Sequence, residues 1–221
     1  MRNSALPQLS GDLYLTDGGI ETTLIYLEKQ ELPHFCAFHL LKDAAGTEVL
    51  VRYFRRYARM ARERGVGLVL ECATWRASAD WGAKLGYSKD ALRALNRQSI
   101  DMMHEVRREF AGGPEPIVVS GCIGPRDDGY NPSSFMSADE AEEFHSLQTE
   151  VFRDTGVDLV TAITMTYVEE ALGAVRAAQG ANLPVVISFT TETDGRLPSG
   201  QALGSAIEQV DAKTGNAPAY G

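Results

Sequence analysis

Residues 116–164 read PIVVSGCIGPRDDGYNPSSFMSADEAEEFHSLQTEVFRDTGVDLVTAIT, and the fold turns on how this stretch changes period. It opens with a β-branched run, PIVVSGC at 116–122, that ends at Gly124-Pro125. A long, turn-rich loop over 121–137 follows. From 138 to 155 the apolar residues Ala141, Phe144, Leu147, Val151 and Phe152 recur at helical spacing. Ser137-Ala138-Asp139-Glu140 in front of them fits a capping box, in which the serine hydroxyl and the glutamate carboxylate satisfy free N–H groups. Gly156 closes the helix, and a second apolar run, DLVTAIT at 158–164, follows at once. A strand, a helix and a strand, with both strands apolar throughout, predict a parallel pair joined by a crossover helix.

The same alternation extends to both sides. Toward the N-terminus, a helix rich in arginine stops at Gly65 and gives way to VGLVLECAT at 66–74, and a helix over 91–110 carries Leu92, Leu95, Ser99, Met102, Met103, Val106 and Phe110 on one side. A short run at 13–16 ends in Asp17-Gly18-Gly19. Toward the C-terminus, a helix over 167–179 ends at Gly180, PVVISFT occupies 184–190, and a helix over 201–213 ends at Gly215. A sixth run begins at Ala219-Tyr220-Gly221. Unbroken βαβ order predicts a parallel α/β sheet with helices outside, either an open doubly wound sheet or a closed barrel. A (β/α)8 TIM barrel takes about 250 residues, so the expectation here is an incomplete barrel of five to six parallel strands. Residues 1–11 are read as an N-terminal extension and 12–221 as the partial barrel domain.

Composition narrows the function. With 44% hydrophobic and 23% charged residues the 221-residue chain is ordinary globular material. Thirty acidic against 21 basic residues give a net charge of −9, which disfavours nucleic acid and anionic membranes as partners. The basic cluster Arg52, Arg55, Arg56, Arg59, Arg62 and Arg64 is broken by apolar residues at helical spacing and reads as a solvated helix face. Three cysteines without close spacing make no disulfide scaffold. With no apolar leader and no stretch of eighteen apolar residues, a cytoplasmic protein is the expectation.

Three motifs carry chemistry. In Asp17-Gly18-Gly19-Ile20-Glu21-Thr22, two glycines let the backbone turn sharply, the following N–H groups can take a carboxylate, and Asp17 can hold an ammonium group; a plain turn with Asp17 as helix cap is the alternative. Glu71-Cys72-Ala73-Thr74-Trp75-Arg76-Ala77-Ser78 puts an acid, a thiol, a hydroxyl and an indole at one strand tip. Gly121-Cys122-Ile123-Gly124-Pro125 ends the third strand, on the neighbour of the strand bearing Cys72. Each thiol reads first as a small buried hydrophobe, and two isolated cysteines without CxxC or CxH spacing make a weak zinc signal. His34, His39, His104 and His145 receive no catalytic role. No Walker sequence, dinucleotide fingerprint or nucleophile elbow is present.

Taken in order, Leu15-Thr16-Asp17-Gly18-Gly19, Thr74-Trp75-Arg76-Ala77-Ser78, Gly121-Cys122-Ile123-Gly124-Pro125, and Thr164 with Glu169-Glu170-Ala171 resemble the homocysteine S-methyltransferase family from about residue 12 onward. The resemblance implies a (β/α)8 barrel that transfers a methyl group from a sulfonium, ammonium or similar donor to a thiol acceptor such as homocysteine. It implies zinc, held by cysteines, that keeps the acceptor as thiolate. Asp17 matches the family aspartate that holds the acceptor's amino group, and the N–H groups of Ile20 and Glu21 would take its carboxylate. Gly18, Gly19, Glu71, Thr74 and Thr164 complete the expected substrate site. The family's zinc cysteines lie in an Asn-Cys motif after strand six and a later Gly-Gly-Cys-Cys motif; neither is in this sequence, so those ligands are expected beyond Gly221. The family's strand-four Glu-Thr pair stands here as Ile163-Thr164, and Glu71 on the neighbouring strand is the other carboxylate able to supply the charge. The same residues also fit a metal-free amino-acid or small-acid binding barrel, or a non-catalytic fragment whose open sheet edges leave room for a homo-oligomer.

Overall fold

The computed structural model describes residues 6–113 and 116–221. Its elements run β1 (Tyr14–Thr16), α1 (Ile20–Thr22), α2 (Ala44–Arg64), β2 (Gly67–Glu71), α3 (Ala79–Lys84), α4 (Lys89–Glu109), β3 (Ile117–Ile123), α5 (Ala138–Arg153), β4 (Leu159–Met165), α6 (Val168–Gly180), β5 (Val185–Phe189) and α7 (Leu203–Thr214). The five strands pair in sequence order, every pair parallel, and curl into half of a (β/α)8 barrel with helices outside. The barrel reading therefore holds, and the open doubly wound alternative, which needs a reversal of strand order, does not. A sixth strand starts to add: Pro218 bridges Val185 in parallel and the Ala219 N–H donates to the Val185 carbonyl at 2.8 Å.

Strand alternation sets the two faces. Leu68, Leu70, Val119, Val160, Val185 and Ile187 pack into the large core between sheet and helices. Their neighbours Val69, Val118, Leu159 and Val186 form a smaller cluster on the opposite, lumen face. Leu6, within the segment read as an extension, is buried in that same cluster, so this part of the segment contributes to the barrel interior.

The helix ends follow their caps. Asp43 accepts the Gly46 N–H at 2.8 Å and starts α2 eight residues before the arginine run begins at Arg52, while Gly65, at φ 64°, ends it. Ser137 and Glu140 form the expected capping box on α5. Ser137→Ala should therefore lower stability by about 1 kcal/mol, checked by urea denaturation; an unchanged midpoint would contradict the cap. Two boundaries differ from the sequence reading. The strand expected over 66–74 stops at Glu71, because Thr74 N–H turns back to the Cys72 carbonyl and Ala77 N–H to that of Thr74. Helix α6 runs through Gly180, and Asn182, not the glycine, takes the left-handed conformation, at φ 55°.

Candidate functional site at the strand C-terminal rim

In a parallel barrel every strand's C-terminal end lies on one rim, where ligands bind. Three of the four sequence motifs lie at this rim, after β1, β2 and β3, and the fourth runs from the end of β4 into α6. After β1, Gly19 adopts the left-handed conformation at φ 60° and opens α1, which continues as a π-helical turn over Thr23–Leu27, a local form enriched at functional sites. The Asp17 carboxylate is anchored there: its Oδ1 accepts the Glu71 N–H at 2.8 Å, across from β1 to β2. Its Oδ2 lies 3.4 Å from the Tyr53 hydroxyl, whose shorter bond, at 2.9 Å, goes to the Gly18 carbonyl. Tyr57 donates to the same carbonyl at 3.1 Å. Burial pushes the Asp17 carboxyl up to about 7, with the Glu71 charge adding to it and the Glu71 N–H and Tyr53 opposing.

Glu71 points to the lumen, where Thr161 on β4 donates to its Oε1 at 2.8 Å and Ser120 on β3 bonds Thr161 at 2.7 Å. Its Oε2 is buried without a partner, and burial raises its pKa against the hydrogen bonds of Ser120 and Thr161. The rim thus carries two neighbouring carboxylates whose ionisation a cation would favour. Glu21, two residues beyond Gly19, is also raised to about 7 by burial; the N–H groups of Glu21 and Ala37 and the charge of Arg76 pull the other way.

Thr74 is fully buried and its hydroxyl donates to the Cys122 carbonyl at 2.6 Å. Cys72 and Cys122 do meet, the Cys122 N–H reaching Cys72 Sγ at 3.1 Å. Burial raises Cys72 to about 12 and Cys122 well above its usual value, so both are thiols at neutral pH; they behave as the buried hydrophobes expected. Thr164 sits where the pairing of β4 with β5 shifts register, with φ at 59°. A β-branched residue with positive φ is strained, and such strain concentrates at functional sites. Its hydroxyl donates to the Ile163 carbonyl at 2.6 Å and accepts the Trp75 indole N–H at 2.9 Å.

Tyr53 and Asp128 carried no sequence signal of their own, and Arg76, inside the strand-two motif, carried none for its partners. Tyr53 lies within the arginine-rich helix, and only its distance in space from Gly18 reveals its role. Arg76 and Asp128 pair across the rim, Arg76 being 8% exposed. The arginine cluster of α2 stays at the surface, with Arg55 on Glu109 and Arg56 on Glu28. A cavity of about 570 Å³ between α2 and α4 is lined by none of the rim residues, and its wall mixes Lys42 and Arg55 with Asp43, Glu48, Glu105 and Glu109. Its position on the outer helices gives it no relation to the strand ends.

Against known proteins, residues 14–221 match the model of a family described as homocysteine S-methyltransferase. The chain belongs to this family. Among curated homocysteine S-methyltransferases, homocysteine S-methyltransferase 4 of Zea mays is 24% identical over 168 residues, which is 68% of this chain and 49% of the relative. The chain thus spans about half the length of that curated family member. Among solved structures, the homocysteine methyltransferase MmuM from Escherichia coli in its oxidized form superposes with a TM-score of 0.75 at 19% identity, over 95% of this chain and 73% of that one. Its metallated form gives 0.69 at 18% identity, over 93% and 72%. At such identity the likeness concerns the fold, and it matches the half-barrel described above.

A metallated relative makes the metal question concrete. Among the described residues no group of three His, Cys, Asp or Glu side chains is placed to hold an ion. Cys36, Cys72 and Cys122 are buried thiols, and a thiolate ligand set cannot be assembled from them as they stand. These residues do not fit zinc. No helix among the described residues is long and apolar enough to cross a membrane.

Proposed function

We propose that the protein is an S-methyltransferase acting on a thiol acceptor of the homocysteine type, with the methyl group taken from a sulfonium, ammonium or similar donor. The observation that carries the reading is Asp17: a carboxylate fixed at the rim by the neighbouring strand's N–H, immediately before a Gly-Gly turn that opens a helix. One end of an amino acid is matched by this carboxylate, the other by the N–H groups of Ile20 and Glu21 behind Gly18 and Gly19. Glu71, Thr74 and Thr164 form the rest of the proposed wall. Holding the amino and carboxyl groups at two fixed points orients the thiol, which supplies much of what a bimolecular methyl transfer needs. Zinc, which the family resemblance implies, would need ligands other than the three cysteines present.

The reading has a pH signature. An acceptor ammonium needs ionised Asp17, so affinity for homocysteine should rise as pH passes through about 7 and then level off. The other titratable groups facing Asp17 are Tyr53 on α2, which burial keeps neutral, and Glu71 on β2, raised in the same direction. Calorimetric titrations between pH 6 and 8 check this. Affinity that falls or stays flat across the window would remove Asp17 from the acceptor's amino group.

A further inference from the structure

Arg76 lies on the turn after β2 and does more than its sequence context suggests. Its guanidinium is held between two indoles, with Trp75 at 4.5 Å and Trp81 at 3.9 Å from centroid to charge. It donates to the His34 carbonyl at 2.6 Å and to Asp128 at 3.1 Å. Its Nε is buried with no partner. Burying an arginine with one donor unmatched is a poor way to gain stability, so the placement calls for another reason.

The partners supply it, because each belongs to a different part of the rim. His34 and its neighbour Phe35 form the strained point of the β1–α2 connection, at φ 54° and 56°. Asp128 organises the loop between β3 and α5: its Oδ1 accepts the N–H groups of Tyr130 and Asn131 while its Oδ2 takes Arg76. The next residue, Gly129, carries that loop onto the remaining strands. Its carbonyl accepts the Thr190 hydroxyl at 2.7 Å just past β5, and a Cβ there would stand 2.9 Å from Thr164 Oγ1 on β4 and 3.3 Å from the Trp75 ring. The indole beneath Arg76 bonds Thr164. One guanidinium therefore ties the loops after β1, β2 and β3 directly, and reaches the end of β4 through Trp75 and the segment after β5 through Asp128 and Gly129.

We infer that Arg76 is the positioning residue of the barrel mouth, holding the β3–α5 loop across the strand ends so that the acceptor meets a preformed rim. It acts through His34, Asp128 and Trp75 and need not touch the acceptor itself. This rests on the thiol-acceptor reading above and extends it to the loops that would enclose that acceptor. A lysine cannot reproduce the role, since it lacks both the planar fork and the stacking.

The test compares the full chain with Arg76→Lys, Arg76→Met and Asp128→Asn. Asp128 is partly exposed, so its variant keeps the question open to measurement should the arginine variants fold poorly. Trp75 and Trp81 are the chain's only tryptophans, which makes intrinsic fluorescence a direct reporter of this cluster. The expected result is altered emission, faster amide exchange over 125–136, and homocysteine binding weakened about tenfold with thermal midpoints close to the parent. Unchanged exchange over 125–136 overturns the inference, and so does faster exchange with homocysteine affinity kept within about twofold. Should the parent chain bind no homocysteine, the thiol-acceptor reading fails by itself, and the exchange of the loop alone then decides whether Arg76 holds the rim.

Discussion

Asp17→Asn should weaken homocysteine binding about 100-fold while making the protein more stable at pH 8. The loss follows from removing the charge opposite the acceptor's ammonium, since a hydrogen bond to a charged group contributes about 1.5–3 kcal/mol. The gain follows from linkage. Asp17 has its pKa raised in the folded state, from 3.8 to about 7. Between those values the unfolded chain releases the proton and the folded one retains it, so stability falls as pH rises through this window and levels off above about 7. Asparagine has no proton to lose and can still accept the Glu71 N–H through its Oδ1. Its advantage grows across the same window and reaches on the order of 2 kcal/mol at pH 8, discounted for partial exposure. Thermal melts at pH 5 and pH 8 beside acceptor titrations check both halves. A variant destabilised at pH 8 would show that Asp17 serves the fold first.

Gly173→Val should be strongly damaging although it lies away from the rim. Helices α5 and α6 approach closely at this point: a Cβ at Gly173 would stand 2.5 Å from the Glu142 amide nitrogen and collide with Ala141 Cβ. Backbone cannot move aside as a flexible side chain can, and overpacking of this kind costs roughly 3 kcal/mol. The expected result is a large drop in the urea midpoint, with Gly173→Ala intermediate because alanine's helix propensity offsets part of the clash. A valine variant within 1 kcal/mol of the parent would mean that the two helices can separate without penalty.

Period and punctuation made the fold legible. The five apolar runs became five strands between glycine- or proline-marked turns, and two of the intervening helices carry legible caps, at Ser137 and Gly65. What escaped was decided by contacts distant in sequence. Helix α3 spans only six residues, too few to show a period. Helix α6 includes Gly180, and the left-handed residue after it is Asn182, which glycine spacing does not record. At the rim, Asp17 and the Gly-Gly turn were visible as local chemistry, and Glu71 as a charge at a strand tip. The bond between them depends on β1–β2 register. The clasp of Arg76, Asp128 and Trp75 joins residues about 50 positions apart, with Thr164 a further step away. No local pattern encodes such a set, although Arg76 itself lies within the strand-two motif visible in the sequence.

The central claim is that the rim recognises an amino group attached to a thiol compound, through Asp17. Paired calorimetric titrations with homocysteine and with 4-sulfanylbutanoate, which has the same thiol and carboxylate but no ammonium, address it most directly. The account predicts binding of homocysteine about 100-fold tighter at pH 8, a difference that Asp17→Asn abolishes. Equal affinity for the two compounds would contradict it.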